Sequence, residues 1–197
     1  MSDFFKKVKI FYRINKLKLR AGVDANDDRS GYIAPESLKR AQDFIDKQEV
    51  RRLRYLGVTK VEIGVQTTDD RVQEITKRGH DLESVRRATA LLKDAGFKIS
   101  YHMMPNLPGS TVEIDKKMVG ELFADGKYQP DYLKIYPCVV VPKSILAGIY
   151  RKGLFKPYTD EVLEEVLLAE IRDVPEWCRI DRIARDIPST DIEAGFK

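Results

Sequence analysis

Polar side chains that could bind a small molecule recur on one face of three predicted strands. Gln66 shares a face of the first strand with Glu62 and Gly64. The next two strands place His102 and Lys134 on a corresponding polar face, because successive side chains point to opposite sides of a strand. An amide, an imidazole and an ammonium group predict one wall of a ligand cavity. An open sheet with one solvated face would show the same alternation.

His102 lies in the stretch 101–110, where a predicted strand runs into a Pro-Gly turn. In α/β proteins ligands bind at such strand ends. The imidazole could act as a base or as a hydrogen-bond donor, or it could be a core histidine bonded to the backbone. Met103 and Met104 are typical core residues, with a cofactor contact as the alternative.

Basic residues at two other places could contact phosphate. The cations in the loop 77–80 either complement a helix dipole or bind phosphate, and those in the last predicted strand either form surface ion pairs or face an anion. The predicted contacts are Lys77, Arg78, His80, Arg182 and Arg185. Residues 1–20 add seven basic side chains against one acidic, a basic arm or a solvated helix face.

Composition narrows the class of protein. The chain has 197 residues, of which 43% are hydrophobic and 34% charged, with a net charge of +4. These values are typical of a soluble globular domain, and no run approaches the roughly 20 apolar residues of a membrane span. The N-terminus lacks the pattern of a signal peptide, so a cytoplasmic location is expected. Two cysteines and two histidines argue against a disulfide framework or an all-protein zinc site.

The elements that must position these residues alternate along the second part of the chain. The predicted strands are 58–66, 97–104, 132–136 and 178–187, and the predicted helices are 49–55, 70–77, 82–95, 111–124, 143–152 and 160–172. Such alternation indicates βαβ units and a mostly parallel sheet. Four strands are few for a closed barrel, so residues 47–197 are predicted to form part of one. Residues 1–46 are predicted to form a basic helical segment and linker.

Several short motifs occur in an order that resembles a known family. They are Val61–Gln66, Lys77–His80, Lys93–Lys98, His102–Gly109, Leu133–Pro137, Lys156–Glu161 and Arg185–Ser189. Together they resemble the radical S-adenosylmethionine domain of the catalytic Elongator subunit and its bacterial and archaeal relatives. The resemblance covers about residues 47–197 and implies the C-terminal portion of a partial (βα)6 TIM-like barrel.

The resemblance also implies a function. Members of this family modify the wobble uridine of tRNA (U34) by adding a carboxymethyl group at carbon 5. They use an iron–sulfur [4Fe-4S] cluster, S-adenosylmethionine and acetyl-CoA. On this basis Gln66, His102 and Lys134 are expected to contact the cofactor. The five residues expected to contact tRNA, or to surround the acetyl group, are Lys77, Arg78, His80, Arg182 and Arg185. No residue is assigned a catalytic role.

The sequence departs from the family in its cysteines. The family holds its cluster through three thiolates in the early part of the barrel, whereas this chain has only Cys138 and Cys178, both in its later half. The expected strands before residue 47 and an acetyltransferase domain after residue 197 are also not recognised. The chain is therefore expected to be a fragment or shortened relative, inactive alone. The alternative is a non-catalytic module that binds tRNA, or a partner chain that completes the barrel.

Overall fold

The computed structural model describes residues 45–77, 79–184 and 187–196 of the chain. The predicted basic helix and the rest of 1–44 lie outside these residues. In chain order the elements are α1 (Lys47–Tyr55), β1 (Lys60–Gln66), α2 (Asp70–Ile75), α3 (Leu82–Asp94), β2 (Lys98–Met103), α4 (Val112–Ala124), β3 (Tyr132–Ile135), α5 (Ile145–Arg151), α6 (Asp160–Arg172), β4 (Arg179–Ile183) and a 3-10 turn (Ser189–Asp191).

The four strands form one parallel sheet in the order β1-β2-β3-β4, as the alternation predicted. Helix α3 packs on β1 and β2, and α4 packs along α6. The strand residues that face the helices are buried in the main core, together with helix residues such as Leu92 and Leu122. These strand residues are Val61, Val65, Ile99, Tyr101, Met103, Leu133 and Ile135. One face of the sheet is thus committed to the core, and the other keeps its polar residues.

Short polar side chains set the helix starts, with one correction to the predictions. The short polar side chains of Asp81 and Thr159 predict helix caps by residue type, and the structure confirms both: each accepts a hydrogen bond from a backbone N–H in the first turn of α3 and α6. Ser110 followed three residues later by Glu113 is a sequence pattern that predicts a capping box at the start of α4, and this prediction is wrong. Thr111 caps α4 by accepting from the backbone N–H of Ile114 at 3.3 Å. The hydroxyl of Ser110 instead donates to the carboxylate of Asp115 in α4, and the next residue, Thr111, is the helix cap.

Charged residues form ion pairs and hydrogen bonds at the N-terminal ends of the strands. The carboxylate of Asp131 accepts hydrogen bonds from the backbone N–H of Ile99 at 2.9 Å and from Lys98 Nζ at 2.8 Å. Lys60 Nζ contacts Asp181 Oδ2 at 2.5 Å and lies 3.8 Å from the centre of the Tyr132 ring. In parallel α/β folds, residues at the N-terminal ends of the strands stabilise the fold, whereas ligands bind at the C-terminal ends.

The last strand is shorter than predicted. It runs from Arg179 to Ile183 instead of over 178–187. Ala184 has a φ of +61°, a left-handed conformation that extended strands do not contain. Arg185 and Asp186 lie outside the described residues. Among the described helices, none is long and apolar enough to cross a membrane.

Glu170 is a buried carboxyl group on α6 that destabilises the folded chain. Its side chain is fully buried, and neither carboxylate oxygen has a hydrogen-bond partner among the described residues. Burial raises the pKa of Glu170 well above its usual range, and the nearby Asp115 carboxylate raises it further. The folded protein therefore favours a neutral carboxylic acid at this position.

We predict that Glu170→Met stabilises the chain, because it removes an unpaired buried carboxyl at similar volume. The raised pKa means that the parent loses stability as pH rises above the ordinary carboxyl value of 4.5. The gain in the free energy of unfolding should thus grow with pH, to about 1–3 kcal/mol at neutral pH. Urea unfolding between pH 4 and 8 measures it.

The control is Glu164→Met on an exposed position of the same helix. It should change the free energy of unfolding by less than about 0.5 kcal/mol, with no such pH trend. Equal behaviour of the two variants would contradict the assigned cost of Glu170.

Candidate functional site

A carboxylate joins the polar residues of three strands on the sheet face opposite the helices. Glu62 of β1 places Oε2 at 2.9 Å from Nε2 of His102 on β2. Its other oxygen, Oε1, lies 2.6 Å from Nζ of Lys134 on β3. Because a carboxylate only accepts hydrogen bonds, the imidazole N–H and the ammonium both donate to it. Glu62, His102 and Lys134 form one ion-paired group, called here the polar cluster.

The partners of Glu62 keep it ionised. The hydrogen bond from His102 and the charge and hydrogen bond of Lys134 lower its pKa to about 2, although partial burial opposes the shift. The His102 side chain is 10% exposed and that of Lys134 19%, so solvent screens these contacts less than at an open surface. Glu62 therefore stays ionised at neutral pH, paired with the Lys134 ammonium and hydrogen-bonded to the His102 imidazole.

Register places further polar groups around the cluster. Ser100 is the β2 neighbour of Glu62 and is fully buried, and its hydroxyl has no hydrogen-bond partner among the described residues. The ring of Tyr136 meets the His102 ring edge-on, with centroids 5.5 Å apart. This face of the sheet therefore places a buried hydroxyl, without a partner among the described residues, on the strand position beside the ion-paired carboxylate.

Gln66 ends β1 in an unusual backbone conformation. Its φ of +75° is left-handed, which costs a non-glycine residue free energy. Its backbone oxygen accepts from the N–H of Met104 at 2.7 Å, and its side-chain amide makes a long contact of 3.5 Å to the backbone oxygen of His102. Gln66, His102 and Lys134, the three residues predicted from strand faces, thus lie on adjacent strands. The prediction missed Glu62 as the common partner of His102 and Lys134, although strand alternation had placed it on the polar face.

The predicted basic residues fall in different places. Arg182 pairs in register with Lys134, so it lies on the polar face of the next strand, beside the cluster. Lys77 is exposed in the loop between α2 and α3, and His80 is half-buried in the same loop. Arg78 and Arg185 lie outside the described residues. Arg182 is thus grouped with the predicted cofactor residues, and Lys77 and His80 belong to a separate loop.

The two cysteines do not fit a cluster. Cys138 packs with Val72 and Leu107, whereas Cys178 belongs to the main core. Burial raises the pKa of each thiol to about 12, which opposes the thiolate form that iron requires. Two thiols also cannot supply three ligands. Among the described residues no group of three or more His, Cys, Asp or Glu side chains is arranged to hold a metal ion.

Family models match most of the chain. The model of the radical SAM superfamily matches residues 3–119, and that of the Radical_SAM C-terminal domain matches residues 130–197. The chain belongs to the radical SAM superfamily, whose members use S-adenosylmethionine and a [4Fe-4S] cluster. The resemblance seen in the motifs is thereby confirmed. The first match includes the segment 1–46 that was predicted to stand apart, and that division stays a prediction.

Within this superfamily, the chain is similar to two curated proteins of known name. The chain is 44% identical over 155 residues to the tRNA uridine(34) acetyltransferase of Methanocaldococcus infernus. It is 35% identical over 155 residues to human Elongator complex protein 3. Each match covers 79% of this chain but only 29% and 28% of the respective relative. The chain thus spans less than a third of the length of these two proteins.

A solved structure supports the fold. The archaeal M. infernus Elp3 with an N-terminal deletion (1-46) superposes with a TM-score of 0.75 at 44% identity. The match covers 79% of this chain and 37% of that one. The predicted fold class, part of a radical SAM α/β barrel, is confirmed by this likeness and by the parallel sheet.

We predict that Glu62→Gln destabilises the chain in a pH-dependent way. The lowered pKa of Glu62 contributes stability above the ordinary carboxyl value of 4.5, and that stability is lost as pH falls towards about 2. The variant should lose about 1–2 kcal/mol of unfolding free energy at pH 7, after allowance for solvent screening. The loss should shrink below pH 4.5. Denaturant unfolding across this range measures it.

Glu165→Gln is the matched control. Glu165 pairs with Lys116 at 2.8 Å, but its side chain is 65% exposed. An exposed pair of this kind contributes little, so this variant should stay close to the parent at every pH. A Glu62→Gln loss no larger than that of the control would contradict the stabilising role of the polar cluster.

Proposed function

We propose that this chain takes part in modifying uridine 34 of tRNA, as the C-terminal part of a radical SAM barrel. Two of its relatives are named for action on that uridine, or as the Elongator subunit. The observation that carries the proposal is the polar cluster of Glu62, His102 and Lys134, on the sheet face that a barrel turns inward. A polar inner face binds a ligand in place of a packed apolar core.

In this proposal the polar cluster forms one wall of the S-adenosylmethionine site. The orphaned hydroxyl of Ser100 and the carboxylate of Glu62 suit the hydroxyl and amino groups of that cofactor. Lys134, and Arg182 beside it, suit the cofactor's carboxylate. Bound at this wall, S-adenosylmethionine would supply radical chemistry. The residues named here bind and orient it, and none of them is assigned a step in the cleavage.

The loop 77–80 is proposed to contact tRNA. It follows α2 on the connection that leaves the C-terminal end of β1, the edge at which α/β proteins bind ligands. Exposed Lys77, together with the adjacent Arg78 and His80, suits a phosphate backbone. Arg185 is proposed for the same role from its sequence position. Acetyl-CoA would supply the transferred group, as the name acetyltransferase suggests, and no residue is assigned to it.

The chain alone is proposed to be inactive, because its two buried cysteines do not fit a cluster. Catalysis would need thiolates from further polypeptide, whether in the same protein or in a partner chain. The same observation favours a second candidate function, a non-catalytic module that binds tRNA or a partner.

Anaerobic reconstitution with iron and sulfide tests whether the chain alone is inactive. We expect no [4Fe-4S] absorption and no 5′-deoxyadenosine from S-adenosylmethionine under a strong reductant. The control is the double variant Cys138→Ser and Cys178→Ser, since iron bound adventitiously would persist in it. Cofactor cleavage by the parent that is lost in the double variant would overturn the claim that this chain is inactive alone.

Titration with tRNA at two salt concentrations tests the proposed tRNA contact. Binding through phosphates releases counterions from the RNA, so the affinity should fall steeply as the salt concentration rises. Lys77→Ala should weaken binding and reduce the slope of log affinity against log salt by about 1. Lys127→Ala is the charge-matched control, since this exposed lysine precedes β3 at the opposite edge of the sheet. Equal effects of the two variants, or no binding at low salt, would overturn the assigned tRNA contact.

A further inference from the structure

Asp115 gathers three chain segments around one buried carboxylate. It lies in the first turn of α4 and is 1% exposed. Its Oδ2 accepts hydrogen bonds from the backbone N–H of Asn106 at 2.7 Å and from the hydroxyl of Tyr158 at 2.9 Å. Its Oδ1 accepts from the hydroxyl of Ser110 at 2.5 Å. The carboxylate thus fixes both ends of the turn that follows β2, and the segment that precedes α6.

Asn106 is the second joint of this network. Its backbone is left-handed, with a φ of +66°, a conformation that asparagine tolerates better than most residues. Its side chain donates to the backbone oxygen of Cys138 at 3.1 Å and accepts from the backbone N–H of Tyr158 at 3.2 Å. Asp115 and Asn106 together connect the chain after β2, the chain after β3 and the chain before α6.

The connected turn begins immediately beyond the polar cluster. Met104, two residues before Asn106, donates its N–H to the backbone oxygen of Gln66 at 2.7 Å. The Gln66 side chain in turn reaches the backbone oxygen of His102 at 3.5 Å. A shift of the turn 104–110 would therefore move the C-terminal end of β2, and with it two residues of the proposed cofactor wall.

The cost of Asp115 argues that this arrangement does more than fill the core. Burial raises the pKa of Asp115, and the bonds from Ser110, Asn106 and Tyr158 oppose the rise. A second buried carboxyl, Glu170, lies close enough for the charge of Asp115 to raise its pKa. Apolar residues would close this interface at lower cost, whereas a carboxylate with three donors sets the geometry of a turn.

We propose that Asp115 is a positioning residue for the cofactor site, acting through Asn106 and the turn 104–110 on Gln66 and His102. This inference rests on the proposed function, since it names what holds the proposed cofactor wall in place. Asp115 touches neither residue directly, so its effect is transmitted through the backbone of the turn.

The test compares two substitutions in the full chain. Asp115→Asn keeps the shape: its amide oxygen can accept from Asn106 and Tyr158, and its NH₂ can donate to the Ser110 hydroxyl. Asp115→Ala leaves all three donors without this acceptor. Leu53→Ala, in the main core on α1, serves as a control that destabilises without touching the turn.

Three measurements are made on each variant. Thermal unfolding gives the loss of stability, and titration with S-adenosylmethionine gives the affinity. NMR of methionine methyl groups, backbone amides and the Gln66 side-chain amide reports the geometry around the polar cluster. Asp115→Ala should weaken cofactor binding at least about tenfold and shift the signals of Met104, Gln66 and His102. Asp115→Asn should restore both to near parental values, and Leu53→Ala should change neither.

The outcomes separate the two proposals. If Asp115→Ala binds the cofactor like the parent and its shifts stay within α4, Asp115 is only structural and the positioning role is overturned. If the parent itself binds no S-adenosylmethionine, the proposed cofactor wall fails. The NMR comparison then still decides whether Asp115 positions Gln66 and His102. Shifts at those residues in Leu53→Ala as large as in Asp115→Ala would also overturn the inference.

Discussion

The hydrogen-bonded carboxylate of Glu62 is the interaction on which the functional interpretation of this chain depends. The carboxylate of Glu62 on β1 bonds to His102 on β2 and to Lys134 on β3, so one side chain connects three strands. Parallel pairing makes this possible, since strands in register present the same face side by side. The opposite face is apolar and covered by helices. A sheet with one face of each kind can bind a polar ligand without giving up its core.

Three buried or half-buried carboxyls show how environment decides their chemistry. Glu62 has two nitrogen donors and keeps a low pKa, whereas Glu170 has no partner among the described residues and a raised one. Asp115 is the intermediate case: burial raises its pKa, and the hydrogen bonds from its three donors reduce that rise without cancelling it. The first suits a fixed charge in a ligand site, the second a neutral group in an interface, and the third a joint between chain segments.

Much of the fold followed from local signals. Alternation placed the strands and sorted their faces, and Asp81 and Thr159 marked helix starts correctly. The signals failed where a tertiary contact competes with a local one: Ser110 fits a helix cap by type, but Asp115 takes its hydroxyl. The last strand was predicted too long, because the left-handed backbone at Ala184 leaves no trace in an apolar and charged run.

The candidate site was only half accessible to sequence reasoning. Gln66, His102 and Lys134 could be chosen from strand face, but the reach of Glu62 across two strands depends on register, which the sequence does not display. The role of Asp115 was hidden for the same reason, since its partners lie as far as 43 positions away.

The backbone of Gln66 has a consequence for how this position tolerates change. A left-handed φ favours glycine, so glycine there would relieve strain while removing the amide. Substitution at this position therefore separates two properties that usually fall together: the most stable replacement is the one that discards the functional group. A library selected for folding alone would enrich glycine at residue 66, and one selected for the proposed cofactor contact would enrich glutamine.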